Sequence, residues 1–70
     1  MRIKANTERG TKVRVFKDKE EITNRCTEVE EDGSMAIILK LDDNDHVYLD
    51  DSGELAKEIV YDVIVLEKGN

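Results

Sequence analysis

Residues 35–41, Met-Ala-Ile-Ile-Leu-Lys-Leu, constrain the fold more than any other stretch, because their only charge is Lys40. Side chains along a strand alternate between its two faces, so the odd-numbered residues share one face, and Ala36 and Ile38 share the other. A strand that is apolar on both faces is typical of the middle of a small sheet that is covered on both sides. We therefore expect a central strand here, with the odd-numbered residues in the core.

The chain of 70 residues is long enough for one domain with one small core. Apolar alternation predicts these core members: Val13, Val15, Phe16, Ile22, Met35, Ile37, Leu39, Leu41, Val47, Leu49, Leu55, Ile59, Tyr61, Val63 and Val65. Such a core leaves little to line a ligand pocket, which typically needs about 300 Å³ or more. The chain is therefore not expected to be an enzyme, and no catalytic residue is predicted.

Turn-forming residues divide the chain into short strands. Strands are predicted at residues 11–17 and 58–66, a tight connection at 18–20, and acidic turns at 30–33, 42–45 and 50–53. Regular short strands are typical of a small barrel or a compact sandwich. The prediction is an all-β, single-domain, SH3-like barrel of about five strands, in which the sheet closes as in an SH3-type barrel. Residues 1–10 form either a short edge strand or a mobile arm, and residues 68–70 are expected to fray.

The stretch from residue 21 to 29 is open to two interpretations. Its threonines favour a strand, whereas Ile22, Cys26 and Val29 fall at helical spacing. We favour a strand with a bulge where Val29 changes face. The alternative is an α+β fold with a helix near residues 19–32.

Charge divides the chain into two unlike parts. The net charge is −6, but residues 1–25 carry eight basic and four acidic side chains, and acidic side chains dominate the remainder. A basic segment of this kind predicts an interaction face, and its candidate members are Lys12, Arg14, Lys17, Lys19 and Arg25. Nucleic acid is a less favoured partner, because the chain is acidic overall and poor in the aromatic rings on which single strands stack.

No cofactor or metal site is predicted. The oxygen-rich turns at 42–45 and 50–54 suggest a weak calcium site, but His46 and Val47 stand where the calcium-loop signature requires an oxygen ligand and a glycine. Solvated turns are the preferred interpretation. Cys26 is the only cysteine, so it is expected to be a small buried residue in a protein of the reducing cytoplasm. No apolar run is long enough to span a bilayer, and no membrane partner is expected.

Two passages together resemble a known group of sequences. The first is residues 15–18 (Val-Phe-Lys-Asp) leading into residues 21–29 (Glu-Ile-Thr-Asn-Arg-Cys-Thr-Glu-Val), with Gly33 after an acidic turn. The second is residues 47–56 (Val-Tyr-Leu-Asp-Asp-Ser-Gly-Glu-Leu-Ala). They resemble short open reading frames of tailed bacteriophages and prophages, most of uncharacterised function. The resemblance implies a small viral assembly or host-interaction protein in the host cytoplasm or the virion, and it transfers no functional residues.

Three functions are compatible with these features. The first is a non-enzymatic module that acts by protein–protein contact, through a protein partner or by self-association between the basic and acidic parts. The second is a nucleic-acid-associated module that uses the five basic residues of the predicted face. The third is an acidic mimic of nucleic acid that uses the acidic side chains of residues 28–62.

Overall fold

The computed structural model describes residues 2–8 and 10–67, and its regular structure is almost entirely strand. The strands are β1 (Arg2–Lys4), β2 (Val13–Lys17), β3 (Glu20–Glu21), β4 (Cys26–Glu30), β5 (Met35–Leu39), β6 (Lys57–Tyr61) and β7 (Ile64–Glu67). Short 3₁₀ turns at Gly10–Lys12 and Thr23–Arg25 lead into β2 and β4. The described residues contain no helix that could span a bilayer.

The strands form two antiparallel sheets. The first sheet has the order β1-β4-β5-β6, and the second has the order β3-β2-β7. The predicted all-β fold is therefore confirmed. The five-stranded SH3-like barrel is not confirmed: seven strands are present, and no pairing among the described residues closes the sheets into a barrel. The chain changes sheets at Asp62, whose φ of 57° turns the backbone between β6 and β7.

The core lies between the two sheets. Its buried members are Ile3, Val13, Val15, Ile22, Cys26, Val29, Ala36, Ile38 and Val63, with Val60 and Val65 packed against them. The prediction of Val13, Val15, Ile22 and Val63 as core residues is confirmed, as is the burial of Cys26. Of the two alternatives for residues 1–10, the structure shows an edge strand, β1, which buries Ile3. The predicted frayed tail, residues 68–70, lies outside the described residues.

Strand β5 is central, as predicted, because it pairs with β4 on one side and with β6 on the other. Its core face was predicted wrongly. Ala36 and Ile38 are buried, whereas Met35, Ile37 and Leu39 are only half-buried on the outer face. The second sheet covers one face of the first, so only that face of β5 is enclosed.

Several other predicted core residues are exposed or only half-buried, some on the outer faces of the sheets and some in residues 41–56, outside both sheets. Val47, Leu49, Leu55, Ile59 and Tyr61 are exposed. Phe16, Leu41 and Val65 are half-buried. Alternation identifies the two faces of a strand correctly, but it does not show which face a second sheet covers.

The interpretation of residues 21–29 as strand is confirmed only in part, because β3 ends at Glu21, β4 begins at Cys26, and the 3₁₀ turn at Thr23–Arg25 lies between them. The alternative of an α+β fold with a helix near residues 19–32 is wrong. The register shifts between Cys26 and Glu28, and this bulge lets both Cys26 and Val29 face the core. The spacing of Cys26 and Val29 is therefore a consequence of the bulge, and the 3₁₀ turn at Thr23–Arg25 separates them from Ile22. The tight connection before this stretch is a two-residue turn in which Asp18 and Lys19 have φ values of 52° and 71°.

Candidate interaction surfaces

The five basic residues of the predicted face do not share one surface. Arg14 lies on the outer face of the second sheet, where Glu21 holds it by two hydrogen bonds of 3.1 and 3.0 Å. These bonds raise the pKa of Arg14. Its guanidinium also lies 5.0 Å from the centre of the Phe16 ring. Lys12 makes a 3.4 Å ion pair with Glu8.

Two of the remaining basic residues lie beside a groove at the open side of the sandwich. The Lys17 Nζ donates to the carbonyl of Tyr61 at 2.6 Å, and Arg25 donates to the carbonyl of Leu39 at 3.3 Å. The groove has a volume of about 230 Å³ and is also lined by Asp18, Glu20, Ile22, Ile38, Glu58 and Val60. Lys19 lies in the turn between β2 and β3. The basic side chains are thus distributed over several surfaces, and acidic groups accompany most of them.

The surface that differs most from the rest of the chain is residues 41–56, here called the acidic loop. It contains two turns of the same design, eight residues apart. The Asp42 carboxylate accepts from the amides of Asn44 and His46 at 2.8 and 3.0 Å. The Asp50 carboxylate accepts from the amides of Ser52 and Glu54 at 2.9 and 3.1 Å. Each carboxylate thereby accepts hydrogen bonds that a backbone carbonyl would otherwise accept, and these bonds fix the conformation of its turn.

The backbone of the acidic loop repeats in the same way. The amides of Asp42 and Asp50 donate to the carbonyls four residues later, at 2.8 and 2.7 Å. The fourth residue of each turn has positive φ, 63° at Asp45 and 85° at Gly53. A β-bridge closes each turn, Leu41 to Val47 and Leu49 to Leu55. The Ser52 hydroxyl and then the Glu54 amide lower the pKa of Asp50.

The acidic loop carries the whole net charge of the chain. Six of the 17 acidic side chains lie in it, and it has no lysine or arginine. The other 11 acidic side chains are balanced by the 11 basic side chains elsewhere, which gives the net charge of −6. The loop also exposes Val47, Tyr48, Leu49 and Leu55, with Leu49 62% exposed. Apolar side chains are therefore held in solvent between two acidic turns.

A second apolar surface lies on the outer face of the first sheet. Ile37 pairs with Ile59, and Met35 pairs with Tyr61, so their side chains form neighbouring cross-strand pairs. The other half of this face is charged, and there Arg2 pairs with Glu28 and Glu30 at 3.1 Å each. The apolar half of the face ends at the free edge of β6.

In the described part of the chain, residues with metal-binding or nucleophilic chemistry are not clustered. Burial raises the pKa of the Cys26 thiol, which donates to the carbonyl of Glu28 at 3.2 Å. His46 is exposed in the first turn of the acidic loop. Within residues 2–8 and 10–67, no group of three or more His, Cys, Asp or Glu side chains could hold a metal ion.

Comparison with protein-family models, characterised proteins and solved structures finds no match to this chain. The resemblance to phage and prophage proteins therefore stays a prediction. Sequence reasoning identified both turns of the acidic loop, but not their common geometry. The sequence signal is the repeat Leu-Asp-Asp at residues 41–43 and 49–51. The residue with positive φ comes two positions after each repeat, at Asp45 and Gly53.

Proposed function

We propose that this chain is a non-enzymatic module that acts by protein–protein contact, in assembly or in binding another protein. The observation that best supports this function is the acidic loop. Its two carboxylate-fixed turns hold Val47, Leu49 and Leu55 in solvent, away from the core. Apolar surface covered by a partner contributes about 25 cal/mol per Å², so ordered and exposed apolar side chains are suited to binding.

The biological context proposed is a phage or prophage protein that acts in the host cytoplasm or the virion. The sequence resemblance at residues 15–29 and 47–56 supports this context, and the second of these passages includes most of the acidic loop. A viral assembly or host-interaction protein acts by contact with other proteins.

Capture from a bacterial lysate tests the proposed function. Immobilised wild-type chain is compared with Leu49→Ser, which removes an exposed apolar side chain of the acidic loop, and with Leu66→Ser, which removes one of β7. We expect the wild type and Leu66→Ser to retain the same protein and Leu49→Ser to lose it. Equal retention by all three chains contradicts the role of the acidic loop, and no retained protein at all contradicts the binding of another protein.

A second candidate function is the acidic mimic of nucleic acid, which binds a cationic protein surface. The concentration of the net charge in the acidic loop favours it. Asp43→Asn with Asp51→Asn tests it, because these two carboxylates accept no hydrogen bond within the described residues, unlike Asp42 and Asp50. For a mimic, binding of the captured protein weakens in this variant and with added salt. Binding that is unchanged in this variant and unchanged by added salt contradicts this function.

The nucleic-acid-associated module is less well supported. Arg14 and Lys12 already have acidic partners, at Glu21 and Glu8. Phosphate binding by the five basic residues should weaken steeply with salt. A gel-shift assay with duplex DNA at low salt that shows no complex would exclude this function.

A further inference from the structure

The free edge of β6 is the longest strand edge in the described part of the chain. Each sheet ends in two edge strands, and β6 has five residues, against three in β1, two in β3 and four in β7. Among the described strands, β6 pairs with β5 alone. Unpaired edges of this kind are templates for the addition of another strand.

The hydrogen bonds around β6 show which of its backbone groups face the free edge. The Ala56 carbonyl accepts from the amide of Lys40, and the Asp62 amide donates to the carbonyl of Ser34, so both residues point toward the β5 side. Backbone groups alternate along an antiparallel strand. The N–H and C=O groups of Lys57, Ile59 and Tyr61 therefore point outward. The carbonyl of Tyr61 accepts from Lys17 but has a second lone pair.

The surroundings of this edge leave room for a further strand. The groove lined by Glu58 and Val60 lies on the inner side of β6. On the outer side, Ile59 is 51% exposed and Tyr61 is 60% exposed. No strand of the second sheet pairs with this edge among the described residues, and the side chain of Lys17 reaches it only at the Tyr61 carbonyl.

We propose that β6 pairs with β6 of a second copy of this chain, antiparallel and about a two-fold axis at Ile59. The proposal rests on the proposed function of protein–protein contact and names the partner as the chain itself. It joins the two four-stranded sheets into one sheet of eight strands. Ile59 then lies opposite Ile59 of the second copy, and the outer apolar face continues from one copy into the other.

The sequence of β6, Lys-Glu-Ile-Val-Tyr, is self-complementary in this register. Lys57 lies opposite Tyr61 of the second copy, where a cation and an aromatic ring attract each other. Glu58 lies opposite Val60 of the second copy. A two-fold axis at Glu58 instead of Ile59 would place Glu58 opposite Glu58 of the second copy. Like charges directly opposite each other are destabilising, so this register is disfavoured.

The two-fold arrangement also separates the charged parts of the two chains. The acidic loop joins the end of β5 to the start of β6, so it lies at one end of the edge. In an antiparallel pair, the two acidic loops therefore lie at opposite ends of the joined sheet. Repulsion between the net negative charges still opposes association, so added salt should strengthen it.

Sedimentation equilibrium from micromolar concentration to about 1 mM tests the proposal, with the wild type and two lysine variants. Ile59→Lys places two like charges on the two-fold axis, whereas Ile64→Lys changes a side chain of similar exposure, 58%, on β7. We expect the wild type and Ile64→Lys to dimerise, with tighter binding at high salt. Ile59→Lys should dimerise at least about tenfold more weakly. Equal dimerisation by the two variants overturns the proposal.

Cysteine cross-linking under oxidising conditions tests the register. Ile59→Cys places two thiols at the two-fold axis, and a covalent dimer is expected. Glu58→Cys is the matched control, because its neighbour in the second copy is Val60, and it should not cross-link efficiently. Efficient cross-linking by Glu58→Cys and not by Ile59→Cys overturns the proposed register.

These measurements separate the inference from the proposed function. A wild-type chain that is monomeric at every concentration and salt overturns the β6 pairing. If Leu49→Ser still loses a protein that this monomer captures, the proposed function stands without the inference.

Discussion

The sandwich and the acidic loop are built from the same kind of sequence, in which apolar residues alternate with polar ones between acidic turns. In the sandwich, alternation places Val13 and Val15 on the face of the second sheet that packs against the first, where they are almost fully buried. In the acidic loop, the same alternation leaves Val47 and Leu49 in solvent. The comparison shows that alternation determines which side chains share a face, and that tertiary packing determines whether the face is buried.

The sandwich and the acidic loop are also stabilised by different interactions. Apolar burial stabilises the sandwich, in which every member of the core cluster comes from outside the acidic loop. Hydrogen bonds that backbone amides donate to the carboxylates of Asp42 and Asp50 fix the loop. Changes in the sandwich should therefore alter the free energy of global unfolding, whereas changes in the loop should cost no more than its local ordering.

Replacing the glycine of a turn should have the largest effect, and a different one in each region. Gly33 and Gly53 have φ values of 79° and 85°. A Cβ at Gly33 would lie 2.3 Å from the Val63 carbonyl oxygen, whereas one at Gly53 would meet nothing within 4 Å. By urea denaturation, Gly33→Ala should lose at least about 3 kcal/mol and Gly53→Ala about 1 kcal/mol or less. Equal losses in the two variants would contradict the conclusion that the sandwich and the acidic loop are stabilised separately.

The next largest difference between the sandwich and the acidic loop is expected when one apolar side chain is truncated in each. Val15 is 2% exposed, and Val15→Ala should lower the free energy of unfolding by about 2 kcal/mol. Leu49→Ala removes a larger side chain, yet it should change that free energy by less than about 0.5 kcal/mol. Urea denaturation of the two variants measures both values. A larger loss for Leu49→Ala would place the acidic loop in the core.

A smaller change in the free energy of unfolding, and a gain instead of a loss, is expected in the turn between β2 and β3. Lys19 has a φ of 71°, a conformation that costs a lysine free energy and a glycine none. Lys19→Gly should raise the free energy of unfolding by up to about 1 kcal/mol. Lys19→Ala removes the same charge but keeps the strain, so it should give no gain. A gain with alanine would point to charge as the cause.

Acid should loosen the second turn of the acidic loop while the sandwich remains folded. The pKa of Asp50 is lower in the folded chain than its ordinary value of 3.8. Its carboxylate therefore stabilises the turn above that value, and the stabilisation is lost as pH falls through the lowered pKa. The amide signals of Ser52 and Glu54 in NMR spectra should shift over this range. In Asp50→Asn, which keeps the acceptor oxygen but does not titrate, the shift should disappear.

Much of the fold could be predicted from sequence because local chemistry determines it. The bulge at Cys26, the glycine at Gly33 and the tight turn at Asp18 and Lys19 each follow from residue type and alternation. The enclosed face of β5 could not be predicted, because Ala36 and Ile38 look no more apolar than Ile37 and Leu39. The sheet change at Asp62 was also missed, because a single aspartate in left-handed conformation has no distinctive sequence signal.

The candidate surfaces were harder to predict than the fold. The basic residues of the first 25 positions looked like one face, but ion pairs such as that between Arg14 and Glu21 depend on strand pairing that composition does not show. The separation of charge into a neutral sandwich and an acidic loop became visible only when the boundaries of the loop were known.

Amide hydrogen exchange, measured residue by residue in the native chain, tests the central claim that the acidic loop is ordered separately from the sandwich. The informative amides are those of Asp45 and Gly53 in the loop, which donate to Asp42 and Asp50, and those of Ala36 and Ile38 in β5. We predict that the loop amides are protected but open with a free energy well below that of the β5 amides. Equal protection in both regions, lost together in denaturant, would contradict the account.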